Sequence, residues 1–142
     1  MAAALRDVRR LVDELGQLPR RLAVAAAPDI TRAIAAQFRD GVDPYGKPWA
    51  PLKPSTLQKH GPPPLTYTGE LKGGTKAEPM TGMRVGLTIR IGARYGAFHQ
   101  VGFRVGRTKV KPRKILPNRG MPASWRVILT RHARELARRA GA

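Results

Sequence analysis

The sequence predicts an α+β domain, with helices at its two ends, strand-patterned segments between them and long proline-rich loops. Three observations predict it. Apolar residues recur at helical spacing near both ends, a central run alternates with a period of two, and 13 prolines and 15 glycines in 142 residues call for much turn and loop. A chain of this length is expected to form one domain that buries roughly two-thirds of its unfolded surface.

At the N-terminus Leu5, Val8, Leu11, Val12, Leu15 and Leu18 recur at three- and four-residue steps, with Arg6, Arg9, Arg10 and Asp13 elsewhere on the wheel, the pattern of an amphipathic helix. Pro19 lacks an amide hydrogen and crowds the preceding turn, so the helix should end or bend there. A second helix is predicted from Pro28 to Arg39. Proline is tolerated in a first turn, Asp29 suits a helix start, and Ile30, Ile34 and Phe38 share one face. The N-terminal helices thus occupy about residues 3–39, and Gly41 supplies the stop.

Residues 42–64 hold a dense set of prolines and show neither helical nor strand period beyond a turn or two. The large apolar residues Tyr45, Trp49, Leu52 and Leu57 mark an ordered loop that docks on the domain, with Ser55 and Thr56 capping a short helical turn through Lys59. Leu65 to Gly74 suggests a turn into a short helix broken by Gly73 and Gly74. A sheet region follows at about residues 77–112. Its clearest strand has Met83, Val85, Leu87, Ile89 and Ile91 alternating with Arg84, Gly86, Thr88 and Arg90. Tyr95 to Gly102 fits either strand or helical turn, and Phe103 to Lys111 reads as a basic hairpin around Gly106-Arg107. The last helix, about residues 124–140, is expected to start at Ser124 as N-cap, to bury Val127, Ile128 (or Leu129) and Leu136, and to carry its arginines outward.

Charge is the most unusual bulk property, with 27 basic and 9 acidic residues giving +18. From Val101 to Ala142 twelve Lys or Arg face the single acid Glu135, so +11 of that charge sits in the last 42 residues. Such a field favours an anionic partner, either nucleic acid or an acidic protein surface. The absence of cysteine excludes disulfides, thiol catalysis and cysteine-based zinc sites. The charged opening MAAALRDVRR lacks a secretory apolar region, and no apolar run reaches membrane-spanning length, so a soluble protein is expected.

Catalytic signals are missing. His60, His99 and His132 are far apart and match no metal-ligand spacing, and no nucleophile elbow or phosphate loop is present. Asp7, Asp13 and Glu14 fall on the first helix, Asp40 and Asp43 bracket a turn, and Glu70 and Glu78 are isolated. No enzyme activity, metal or cofactor is implied. A hydrolase would need Glu70, Glu78 or His99 to prove essential.

Four segments, in order, resemble the phage virion morphogenesis family, which includes tail-completion proteins of P2-like phages and the G-like protein of Mu-like phages. They are FRDGVDPYGKPWAPLKPSTL from Phe38, PLTYTGEL from Pro64, IGARYGAFHQVGF from Ile91 and KVKPRKIL from Lys109. The first, an F-x4-D-P-x-G-x-P-W-x-P-L-x-x-S-T pattern, is the most specific. Two departures stand out: Gly96 where members often carry Ala, and Arg113-Lys114-Ile115-Leu116 where an Arg-Pro-Phe-Leu-like stretch is common.

The resemblance implies a small antiparallel sheet packed by helices, and a virion protein that finishes the tail or neck at the head-tail junction. A ring, six-fold by the symmetry of tails, would then meet copies of itself and the other neck, connector and tail proteins. Aromatic residues and arginine dominate interface energetics, so Tyr45, Trp49, Phe103, Arg107, Lys109, Lys111, Arg113 and Lys114 are the candidate subunit or partner contacts. Trp49 has an alternative as a plug of the domain's own core. The competing function is non-specific DNA binding, in which Arg126, Arg131, Arg134, Arg138 and Arg139 of the last helix contact backbone phosphates, including those of packaged DNA.

Overall fold

The computed structural model describes residues 2–61, 64–66 and 68–141. Pro62, Pro63 and Tyr67, which belong to the predicted loop and to the PLTYTGEL segment, lie outside the described residues. The elements are α1 (Ala2–Asp40), α2 (Pro54–His60), α3 (Glu70–Gly74), β1 (Lys76–Pro79), β2 (Leu87–Arg90), α4 (Gly96–Val101), β3 (Phe103–Val105), β4 (Thr108–Val110) and α5 (Ala123–Gly141). The fold is mixed α+β: long terminal helices pack together beside two small antiparallel two-stranded sheets.

The 39-residue helix α1 organises the molecule and corrects the prediction of two separate helices. It runs through both Pro19 and Pro28. Each proline removes one hydrogen bond of the ladder, while the Ala-rich stretch between them favours helix and continuing the turn seats Ala23, Ala26 and Ala27 in the interior. Ile30, Ile34 and Phe38 then share one fully buried face, and Trp49, Leu71, Ala77, Ala93, Ile115 and Trp125 close over it from the rest of the chain. Gly41 ends the helix as expected, with a φ of 66° and the Val42 amide donating to the Gln37 carbonyl.

Strands β1 and β2 pair antiparallel in the register Lys76↔Arg90 through Pro79↔Leu87. The predicted alternation holds over Leu87–Arg90, where Leu87 and Ile89 are half-buried and Thr88 and Arg90 exposed. Met83 to Gly86 does not continue the strand: it forms the connection to β1, and Met83 is 100% exposed. An alternating pattern does not fix where a partner strand ends. Thr31 of α1 covers the other side of β1, its hydroxyl accepting the Ala77 amide at 2.9 Å. Below the sheet Gly74 and Gly92 touch backbone to backbone. A Cβ on Gly92 would fall 2.5 Å from Gly74 main-chain atoms, so no side chain fits there.

Tyr95 to Gly102 resolves as helix, and Phe103 to Val110 forms the basic hairpin, with β3 and β4 paired across Gly106-Arg107. Helix α2 starts at Pro54 with Lys53 as N-cap and no side-chain cap, so Ser55 and Thr56 do not serve as caps; a proline in the first turn leaves one fewer amide to satisfy. In α5 the helix begins one residue before Ser124, Trp125 is the buried residue, Ile128 is half-buried and Val127 is 69% exposed. The buried face is rotated from the predicted one, because Trp125 and Ile128 set the stripe that meets α1.

Candidate interaction surfaces

Several of the predicted contact residues hold the chain's own irregular stretch in place. The segment after β4 has no ladder, so its polar backbone atoms need partners from elsewhere. Gln37 of α1 donates to the Ile115 carbonyl at 3.2 Å. Gln100 of α4 accepts from the amides of Ile115 and Leu116 at 2.8 and 3.0 Å and donates to the Leu116 carbonyl at 2.9 Å. The Trp49 indole donates to the Lys114 carbonyl at 2.8 Å, while its ring meets Phe38 edge-on at 5.5 Å. Trp49 is thus a plug of the chain's own core, the alternative its sequence left open.

Arg113 is buried, and its guanidinium donates to the carbonyls of Ala50 and Pro51 at 2.9 and 3.1 Å. Burial pulls its pKa below the usual arginine value. Asp43 closes the turn of the DPYG motif by accepting from the amides of Tyr45 and Lys47 at 2.8 and 2.9 Å. Tyr45 then reaches across: its hydroxyl accepts from Asn118 and Arg119 and donates to Gly120, with the Arg119 guanidinium 5.1 Å from the ring centre. Three of the four resembling segments therefore meet in one junction. Sequence reasoning missed Gln37 and Gln100; an amide next to Phe38, on an otherwise apolar face, was the signal available for Gln37.

Gly96, the departure from the family pattern, is buried there too. A Cβ would fall 2.2 Å from Ile91 and 2.9 Å from Leu71 side-chain atoms, so this chain fills with Ile91 the space that an alanine would take.

Three surfaces that carry predicted contacts or bare apolar side chains stand open among the described residues. The first is the N-terminal half of α1, where Leu5, Val8, Leu11, Val12 and Leu15 are 47–60% exposed and, among the described residues, the buried ones begin only at Ala23. The second is the corner of α4 and the hairpin. Phe98 and Val101 are exposed, Phe103 is half-buried against Phe98 and His99, and Arg107, Lys109 and Lys111 stand in solvent, with Lys114 half-buried behind them. The third is the outward face of α5, a groove of about 510 Å³ lined by Val127, Thr130 and four arginines, Arg126, Arg131, Arg134 and Arg138. Arg131 pairs with Asp29 at 2.6 Å and Arg139 with Glu135, whereas Arg126, Arg134 and Arg138 have no acidic partner among the described residues. His132, although it stands on this basic helix, does not face solvent. Its side chain is 18% exposed and lies 2.7 Å from Asp29, so that with Arg131 it ties α5 to α1, while Asp29 also takes Arg32 within α1.

His99 sits at the junction with its Nδ1 buried and without a partner among the described residues. Burial first, and the Arg113 charge second, lower its pKa. A histidine kept neutral in the fold costs stability as pH falls through its unfolded value, roughly 6.5, because only the unfolded state takes up the proton readily. The thermal midpoint should therefore drop as pH falls from about 7.5 to about 5.5, and His99→Phe, which keeps the ring packing against Phe103, should flatten that slope. Equal slopes for the two proteins would remove His99 as the cause.

Among the described residues no helix is long and apolar enough to cross a membrane. No curated protein and no solved structure matches the chain. A family model does match, over residues 2–133, and it covers α1, the junction, both small sheets and most of α5. On that match the chain belongs to the phage virion morphogenesis family.

Proposed function

We propose that this chain is a neck or tail-completion subunit that closes into a ring at the head-tail junction and joins head to tail without turning over a substrate. The observation that carries this reading is the bare apolar face of α1. Five large apolar side chains in contiguous turns are more than a free surface usually leaves in water, and patches of this kind mark interaction sites. The same stretch carries Asp7, Asp13 and Glu14 against Arg6, Arg9 and Arg10, so it is close to neutral in a chain of +18. Another copy can approach this part of the molecule without strong repulsion.

Subunits around a closed ring meet through two different surfaces. The second surface is the α4-hairpin corner, with Phe103, Arg107, Lys109, Lys111 and Lys114 at its contacts. Tyr45, Trp49 and Arg113 act from behind it, holding the backing segment rigid so that little ordering entropy is lost on assembly. Six copies match the symmetry of a tail, and the neighbours above and below are other neck, connector and tail proteins. Electron cryo-microscopy of particles assembled with and without the protein tests this. A ring of density between portal and tail, and separated heads and tails in its absence, is expected; joined particles lacking both the protein and its density would overturn it.

A second reading, non-specific DNA binding, is favoured by the arginine-lined face of α5. If Arg126, Arg134 and Arg138 each neutralise one phosphate, affinity should fall roughly 40-fold between about 50 and 200 mM salt. A flat salt profile, or unchanged affinity after all three are changed to glutamine, would reject DNA as the partner of this face.

A further inference from the structure

We propose that the outer edge of β2 is a docking edge that takes an extended acidic segment of another protein of the particle as a third strand. This goes beyond the neck reading and does not depend on ring closure.

Antiparallel ladders alternate, so that every second residue exchanges hydrogen bonds with its partner strand and the residues between point their amides and carbonyls the other way. The phase here is fixed on both sides. The Met80 amide donates to the Gly86 carbonyl at 2.9 Å, and the register places Glu78↔Thr88 and Lys76↔Arg90 in step with that pair. Ala77 faces away from β2, since its amide donates to Thr31. In β2 the backbone groups of Leu87 and Ile89 therefore point outward from the sheet, and among the described residues nothing bonds them.

On β1 the outward edge is covered by α1; on β2 it is bare. Natural sheets protect such an edge with proline, an inward-pointing charge or a covering element. Leu87–Arg90 contains no proline, and its inward positions are Leu87 and Ile89. Beside these side chains runs an apolar groove of about 290 Å³, lined by Pro19, Leu22, Leu87, Ile89, Trp125 and Leu129. Trp125 is 5% exposed, and its indole N–H finds no acceptor among the described residues. An added strand would pair its backbone with Leu87 and Ile89 and place alternate side chains in this groove, the arrangement by which a sheet edge recognises an extended peptide.

Charge selects the occupant. Arg84 is exposed, the exposed Arg20 guanidinium donates to the Gly82 carbonyl, and the one acid of the two strands, Glu78, is already shared by Lys76 and Arg90. The surroundings are basic, so a second copy of this strand meets like charge, whereas a segment with apolar residues at alternate positions and acids between them meets both the groove and the arginines.

The test uses the full chain and three labelled peptides of about twelve residues alternating Val or Ile with Asp or Glu: one unmodified, one N-methylated at odd amides and one at even amides. Binding of the unmodified peptide is expected, with at least tenfold weaker binding for one methylated peptide and not the other, because a strand offers only one of its edges. In amide hydrogen exchange the bound peptide should slow Leu87 and Ile89 at least tenfold and leave Thr88 and Arg90 unchanged. Weakening of both methylated peptides or of neither, or unchanged exchange at Leu87 and Ile89, overturns the proposal. So does equal binding of a peptide with lysine in place of its acids. If Leu87 and Ile89 are protected in the free protein in proportion to its concentration, the edge takes a second copy and the assignment to an acidic partner fails.

Discussion

Replacing Trp49 with alanine is expected to cost about 3–5 kcal/mol of folding stability and to lower the thermal midpoint by roughly 10 °C or more. Two losses combine. The indole is buried against Phe38, so truncation opens a cavity at the centre of the core; its N–H is also the donor that satisfies the half-buried Lys114 carbonyl, which would lose that partner. Trp49→Phe separates them, since it keeps most of the packing and loses the bond, with an expected cost of about 1–3 kcal/mol. Thermal denaturation followed by circular dichroism reads both, and a midpoint for Trp49→Ala within a degree or two of the parent would mean that the loop carries no share of the core's stability.

The second large effect is on assembly. Val8→Glu combined with Leu15→Glu should leave the folded monomer intact, because both side chains are at least half exposed, and should abolish self-association. Each side chain buried between copies contributes roughly 1.5–3 kcal/mol, so losing two amounts to about 3 kcal/mol or more, which raises the concentration needed for assembly at least 100-fold. Light scattering across a dilution series, with helicity as the control, measures it. Oligomers of unchanged size and stability would show that copies meet through some other surface.

Where the fold was legible in the sequence, a local pattern and a local cause coincided. The stop at Gly41 and the hairpin around Gly106 each depend on a few adjacent residues, and each formed as read. The misreadings came from burial that only distant residues create. Pro19 and Pro28 look like breaks until the packing of Ala23 to Phe38 outweighs the two lost bonds. Val127 looks like a core residue until Trp125 takes the inward position. The apolar stripe from Leu5 to Leu15 was visible as a stripe, but nothing in its spacing says whether the covering surface lies in the same chain. Among the predicted contacts, Trp49 and Arg113 are residue types that favour interfaces, and the same properties, large area and directed donors, suit them to an interior junction.

That junction also sets when the chain can fold during synthesis. Ile30, Ile34 and Phe38 leave the ribosome early, but Ile115 and Trp125, which help cover them, lie beyond the first three-quarters of the chain. The bonds from Gln37 to Ile115 and from Trp49 to Lys114 span 78 and 65 residues, so neither can form until the last stretch emerges. The core therefore cannot close until Lys114, Ile115 and Trp125 have emerged, and through that interval Ile30, Ile34 and Phe38 lack the residues that cover them in the fold.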